Sequence, residues 1–267
     1  MDLCDIKVMG VLNVTPDSFF DGGKHNQLSG AIEQAKLMES AGASIIDIGG
    51  ESTRPGAKEV SIDEELERVI PVIKMIRKES KVEISIDTSK PEVMQEAVKA
   101  GATIINDVRA LQEPGALAMA ASLCVPVCLM HMQGQPRTMQ KNPVYENVVE
   151  DVLGFLNQRV DSCTMAGIER NNMWFDPGFG FGKSLEHNLS LLKHLERFVA
   201  TDFPILVGMS RKSMLGQLLN KDVEERLPGS LALATIAAMK GAKIIRVHDV
   251  QETIDVVKVS QAVLQAQ

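Results

Sequence analysis

The sequence predicts an α/β chain of 267 residues folded as one (β/α)8 TIM barrel, a single domain spanning 1–267. Three observations carry that reading. Eight short apolar runs, 7–12, 44–48, 82–86, 103–106, 126–130, 173–176, 204–208 and 243–247, alternate with segments of helical periodicity. One junction recurs, in AGASIIDIGG (41–50), AGATIINDV (100–108) and KGAKIIRVHDV (240–250). Each has a glycine where a helix should end, then a β-branched run suited to a strand covered on both faces. Finally, no linker or shift of composition divides the chain, whose 45% hydrophobic and 24% charged residues are ordinary for a globular domain. A doubly wound open sheet is the competing architecture. It would normally place a nucleotide fingerprint after the first strand, and none stands there.

The elements follow in order. The first run leads into NVTPDSFFDGG (13–23), which strings Asn13, Thr15, Asp17, Ser18 and Asp21 around a Phe-Phe pair. A plain connector needs no such rings, and a core segment would not carry two carboxylates. The second run ends at Asp47, with Glu51 beyond it. Ser61-Ile-Asp-Glu64 reads as a capping box, and Leu66, Val69, Ile70, Ile73 and Ile76 then form the apolar stripe of a helix. The third run ends at Asp87, and Ser89-Lys-Pro-Glu92 reads as a second capping box. Asn106 and Asp107 close the fourth run, His131 the fifth and Asp176 the sixth.

After the sixth run comes DPGFGFGKS (176–184). It is not a Walker A loop, because three residues rather than four separate Gly178 from Gly182. Its glycines suit a backbone that passes close to a flat ligand. SRKSMLG (210–216) and RVHD (246–249) follow the seventh and eighth runs, where barrels often hold phosphate. Their two Arg, one Lys, one His and two Ser are suitable anion donors. All eight strand ends, the face on which barrels build active sites, therefore carry polar or charged groups.

A net charge of −7 argues against a general nucleic-acid or anionic-membrane binder, although a local cluster can still take an anion. There is no run of 18 uncharged apolar residues, and Asp2 and Asp5 stand where a signal peptide would be basic, so a cytoplasmic protein is expected. Cys4, Cys124, Cys128 and Cys163 form no C-x-x-C pair and have no His at metal-ligand spacing; free thiols in a reducing compartment are expected. Leu227–Ala238, rich in Leu and Ala, suits a core-facing helix or an oligomer face.

Together these segments resemble the dihydropteroate synthase family, the folate-pathway enzymes that sulfonamides inhibit. The matching pieces are NVTPDSFFDGG (13–23), DIGGESTRPGA (47–57), DTSKPEV (87–93), IND (105–107), DPGFGFGK (176–183), GMSRKS (208–213) and RVHDV (246–250), in the family's order along almost the whole chain. The resemblance implies condensation of (7,8-dihydropterin-6-yl)methyl diphosphate with 4-aminobenzoate, with Mg²⁺, in a homodimer. It also implies roles. Asp87, Asn106, Asp176 and Lys212 bind the pterin, with Asp87 and Lys212 catalytic. Asn13, Thr53, Arg246 and His248 hold the diphosphate, Asn13 from the metal side. Phe19, Thr53, Arg54, Pro55, Lys212 and Ser213 surround the aminobenzoate.

The residue types suit that chemistry. A pterin edge presents donors to an ionised carboxylate, and an amide such as Asn106 both donates and accepts. An anion near the methylene favours departure of diphosphate. The arylamine is already neutral at pH 7, so no general base is required; His131 is expected as a packed histidine. The first loop is then expected to act as a lid, its Phe pair covering the aromatic substrate and Gly22-Gly23 its hinge. The alternatives are a pterin-binding methyltransferase barrel, which has no use for the anion site or the STRPG loop, and a non-catalytic pterin-binding paralogue. At this length no fused pyrophosphokinase domain is expected.

Overall fold

The computed structural model describes residues 6–15, 23–52, 56, 57, 59–135, 138–140 and 143–266. In chain order its elements are β1 (Lys7–Asn13), α1 (Gly23–Ser40), β2 (Ile45–Gly49), α2 (Ile62–Glu79), β3 (Glu83–Asp87), α3 (Pro91–Ala100), β4 (Ile104–Asp107), α4 (Ala116–Leu123) and β5 (Val127–Met130). They continue with α5 (Val148–Met165), β6 (Met173–Asp176), α6 (Leu185–Lys193), α7 (Glu196–Val199), β7 (Leu206–Val207), α8 (Ser213–Leu219), α9 (Leu227–Met239), β8 (Ile244–Val247) and α10 (Val250–Gln265). The strands pair in parallel in the order β6-β5-β4-β3-β2-β1-β8-β7. A parallel bridge between Phe175 and Ile205 joins the two ends, so the sheet curls into a nearly closed barrel. Every expected strand is present, shifted by a residue or so at its ends, except that β7 is shorter than the run that announces it.

Alternation along each strand separates two interiors. Outward residues such as Val8, Ile46, Ile84, Ile105, Leu129 and Phe175 join the large core beneath the helices. Inward residues form a small separate cluster, Met9, Ile45, Ile104, Cys128, Trp174, Leu206 and Ile244, which plugs the lumen. One step further along the strands the same inward face turns polar, at Asp47, Asp87, Asn106, Asp176 and Arg246. Register aligns this upper layer, Gly49 opposite Asp87 and Asp87 opposite Asn106. The lumen thus has an apolar floor and a polar top, the usual arrangement of a barrel active site.

Of the expected α2 stripe, Val69, Ile73 and Ile76 are buried and Leu66 and Ile70 pack half-buried against the core, while Val72, outside that stripe, is buried as well. Ser61 caps it by accepting from Glu64 N. The recurrent junction glycines have positive φ, 104° at Gly42, 123° at Gly101 and 95° at Gly241, which explains why glycine recurs there. One expectation is corrected. Ser89 does not cap α3; that helix starts at Pro91, and the Ser89 hydroxyl donates to Asp107 instead. Asp107 has no exposure, and its buried carboxylate takes this donor together with the N–H groups of Arg109 and Leu111. A true capping box, Ser184 with His187, opens α6, where sequence reading placed none. On α9, Leu233, Ala234, Ala237 and Ala238 face the core, while Ile236 and Met239 are exposed. Cys128 and Cys163 are buried and Cys124 exposed, all as free thiols; Cys4 lies outside the described residues. Among the described residues no helix is long and apolar enough to cross a membrane.

Candidate active site

The polar top of the lumen is knit together by Arg246 on β8. Its Nε donates to Asp47 Oδ2 at 2.6 Å and its Nη2 to Asp87 Oδ2 at 2.7 Å. Asn106 Nδ2 donates to the same Asp47 carboxylate, at 3.2 Å to Oδ2. Four strands therefore meet in one network, β2, β3, β4 and β8. Sequence reading placed Arg246 with a diphosphate; here it also holds two carboxylates in place. Asp47 was noted only as a strand end. The signal that could have singled it out is its inward phase on β2, two residues above Ile45, which puts it in the same layer as Asp87 and Asn106.

Asp87 is buried, and its carboxyl is pushed up to about 7. Burial is the main cause; Arg246 opposes it, while the charges of Asp47, Asp107 and Glu65 add to it. Asp176 is likewise buried and raised, chiefly by burial, against the pull of Lys212 and the N–H of Gly178, which reaches its Oδ1 at 2.7 Å. Lys212 Nζ donates to the carbonyl of Phe179 and lies 4.5 Å over the Phe181 ring. Burial brings its ammonium down to about 8.

Two inward positions lack side chains. A Cβ at Gly49 would lie 3.7 Å from Asn13 Oδ1 and 3.8 Å from Asp87 Oδ2, so those oxygens face the same gap. A Cβ at Gly208 would lie 3.8 Å from Arg246 Cβ and 3.9 Å from Lys212 Nζ. These glycines leave room for a ligand between the polar groups, and sequence reading did not name them for that purpose.

Toward the rim, His248 Nδ1 lies 3.1 Å from the buried Ser210 hydroxyl, beside Arg246. Arg211, counted in the sequence among the anion donors, forks instead onto Asp249 at 2.6 and 2.8 Å. Ser213 opens α8 and is exposed. A neighbouring cavity of about 470 Å³ lies over β3 and includes Asp87, Lys90, Glu51 and Arg109 in its walls. Phe19, Thr53, Arg54 and Pro55 lie outside the described residues. So does most of the expected lid.

His131 is a packed histidine, as expected. It is buried, its ring meets Phe155 edge-on at 5.0 Å, and Nδ1 is 2.9 Å from Lys183 Nζ. Burial and the Lys183 charge hold its pKa down at about 3, so it has no strength as a base at neutral pH. The glycines of 176–184 also have a different use from the one expected. Gly178 has φ +72°, and a Cβ there would stand 1.8 Å from the His131 carbonyl oxygen. The close approach is to the protein's own backbone.

Among the described residues no group of three or more His, Cys, Asp or Glu could hold a metal. The donor set fits an ion such as Mg²⁺ that keeps most of its water and arrives with phosphate oxygens, with Asn13 Oδ1 available as one neutral ligand.

Comparison with known proteins matches residues 9–248 to the family described as pterin binding enzyme. The dihydropteroate synthase of Escherichia coli K12 is 59% identical over 266 residues, covering 100% of this chain and 94% of that protein. The crystal structure of the Yersinia pestis dihydropteroate synthase with a sulfonamide drug superposes with a TM-score of 0.95 at 55% identity, covering 100% of this chain and 97% of the other. That of the Xanthomonas albilineans dihydropteroate synthase with 4-aminobenzoic acid gives 0.94 at 48% identity, covering 99% and 95%. All three relatives are synthases rather than methyltransferases.

Proposed function

This chain belongs to the dihydropteroate synthase family, and from that premise we propose how its residues divide the work of joining (7,8-dihydropterin-6-yl)methyl diphosphate to 4-aminobenzoate. The observation that carries the assignment is the polar layer itself, in which Asp47, Asp87, Asn106, Asp176, Lys212 and Arg246 converge on one side of an apolar floor.

Asp176 and Asn106 take the hydrogen-bonding edge of the pterin, and Asp87 lies along it, facing Asn13 across the gap at Gly49. In the reaction the bond between the methylene carbon and the diphosphate oxygen breaks, and its electron pair leaves with diphosphate. The arylamine nitrogen supplies the pair for the new C–N bond and then loses a proton to water. Ionised Asp87 stabilises the positive charge that grows on the methylene. Arg246 and His248, with Ser210 behind the latter, face the departing anion. Lys212 places its ammonium at the pterin while its stem lines the aminobenzoate side, where Thr53, Arg54, Pro55, Ser213 and Phe19 complete the pocket. Asn13 would hold Mg²⁺ beside the diphosphate, where the ion would supply neutralisation of the leaving group's charge.

The enzyme is proposed to act as a cytoplasmic homodimer. Exposed apolar side chains stand on consecutive helices, Leu218 and Leu219 of α8 and Ile236 and Met239 of α9, with Val223 in the connection, and exposed apolar surface of this kind suits a second copy of the chain. Sedimentation should give twice the chain mass. The functional test is diphosphate release from the two substrates together, with and without Mg²⁺. Sustained release with both substrates that falls steeply on chelation is expected, with some cleavage or exchange from the pterin diphosphate alone; release insensitive to chelator would remove the metal from the proposal, and loss of the Arg246 guanidinium without effect would remove the anion site.

A further inference from the structure

The segment DPGFGFGKS is wound around one side chain. Lys183 is buried, and its Nζ lies 2.9 Å from the Gly178 carbonyl oxygen, 3.1 Å from that of Phe181, 3.2 Å from that of His131 and 2.9 Å from His131 Nδ1. The three carbonyls can only accept, an ammonium has three protons and no lone pair to offer, and Nδ1 can lie beside it only as an acceptor. The arrangement therefore fits a charged Lys183 and a neutral His131 with its proton on Nε2. The same segment touches the pocket at two points. Gly178 N holds Asp176 Oδ1, and the Phe179 carbonyl with the Phe181 ring holds Lys212. Its outer side is tied by Tyr145 Oη to the Gly182 carbonyl at 2.7 Å and by Gly180 N to Asn188 Oδ1 at 2.7 Å.

We propose that Lys183 is a positioning residue for pterin binding: its ammonium gathers the carbonyls of 178, 181 and 131, and that winding sets the places of Asp176 and Lys212. Without the cation, three carbonyl oxygens and an imidazole nitrogen converge on an apolar void. The segment cannot slide to relieve them, because Gly178 and Gly182 are already against the backbone of 131–133, where their absent Cβ atoms would lie 1.8 and 2.5 Å from carbonyl oxygens. Relief comes at the other side, by the turn of 179–181 moving away, and Lys212 follows the carbonyl it holds. Burial brings the Lys183 ammonium down to about 7; of the charged groups facing it, Asp176 favours its protonation and Lys212 opposes it. His131, whose ring lies 6.0 Å from that of Tyr145, is the other titratable group beside it.

The inference rests on the reading that Asp176 and Lys212 bind the pterin, and the experiment separates the two. Lys183→Met, Lys183→Arg and Lys212→Ala are compared by calorimetry with the pterin diphosphate and by the pH dependence of kcat/KM for that substrate. Lys183→Met is expected to weaken pterin binding by about tenfold and to move the alkaline limb, to which Lys212 contributes, by about one pH unit. Lys183→Arg, which keeps the charge, is expected to recover part of both. Lys183→Met with native pterin affinity and an unmoved limb overturns the proposal. Lys212→Ala with native pterin affinity overturns the reading of the pocket instead. If Lys183→Met does not fold, the wild type still decides. Nitrogen-15 spectra should show His131 Nδ1 unprotonated from about pH 5 to 8, with its resonance shifting when the pterin diphosphate binds. A His131 that titrates near its ordinary value, or whose signal ignores pterin, overturns it.

Discussion

Asp47→Asn alters one atom and tests the electrostatics of the whole upper lumen. Asp47 has no exposure; it accepts from Arg246 Nε at 2.6 Å and Asn106 Nδ2 at 3.2 Å. The substitution removes its charge and turns one of its two acceptors into a donor facing donors. Stranding one member of a buried ion pair costs about 3–5 kcal/mol. Arg246 keeps Asp87 at 2.7 Å and is one-fifth exposed, so the expected loss of stability is smaller, about 1–3 kcal/mol. The second effect falls on Asp87. Its carboxyl stands at about 7, above the ordinary 3.8, so folding favours its protonated form. That contribution to stability is complete below pH 3.8 and is lost as the pH rises through 7. Removing the Asp47 charge lowers the Asp87 value and closes this window from its upper end. Urea unfolding at about pH 5 and pH 8, with kcat/KM for the pterin diphosphate from about pH 5 to 9, reads both effects. The acid limb near 7 should move down by roughly half a unit or more. Unchanged stability together with an unmoved limb would refute the argument, since Asp47 could then be neither the anchor of Arg246 nor an electrostatic neighbour of Asp87.

Three further outcomes follow from the proposed roles. Asp176→Asn puts a donor against the donor edge of the pterin, a mismatch of about 2–4 kcal/mol; calorimetry should show pterin affinity reduced well over tenfold with little change in melting temperature. Asp87→Asn should suppress exchange of labelled diphosphate into the pterin substrate, measured without aminobenzoate, more than it suppresses pterin binding. Phe19→Ala removes a ring whose burial against a ligand is worth roughly 1–3 kcal/mol; the Michaelis constant for aminobenzoate should rise about tenfold while pterin affinity stays near native, and equal weakening of both substrates would sink the lid.

The barrel was legible because its signals are periodic. Eight apolar runs, glycine-ended helices and the α2 stripe each report a local preference that packing reinforces, and register then carries Asp87, Asn106 and Asp176 into one layer without further information. What the sequence hid is pairing. Nothing in the string says that Arg246 holds Asp47, 199 positions away, or that Arg211 turns to Asp249 rather than into the lumen. Ser89 shows the same limit on a small scale. Its spacing to Glu92 satisfies a capping rule, yet a buried carboxylate on the next strand has the stronger claim on its hydroxyl. In 176–184, Gly178 and Gly182 are explained by contacts with residues 131–133, whose closeness comes from the adjacency of β5 and β6 and not from any local pattern.

That hidden pairing bears on how the site works. The described residues include five buried carboxylates, Asp47, Glu65, Asp87, Asp107 and Asp176, and one fully buried cation, Lys183; Arg246, Lys90 and Lys212 are partly exposed. Asp107 is satisfied by three donors, Glu65 is paired with Lys90, and Asp47 shares Arg246 and Asn106. Asp87 must draw on a guanidinium already divided with Asp47, and this is why burial can lift its carboxyl to about 7. A group in that condition gains most from a positive charge arriving beside it. In the proposed pose, with the pterin held by Asp176 and Asn106, the cationic methylene left by a departing diphosphate is such a charge. On that proposal the pocket favours the charge separation of the reaction more than the resting substrate, which is the condition for lowering a barrier.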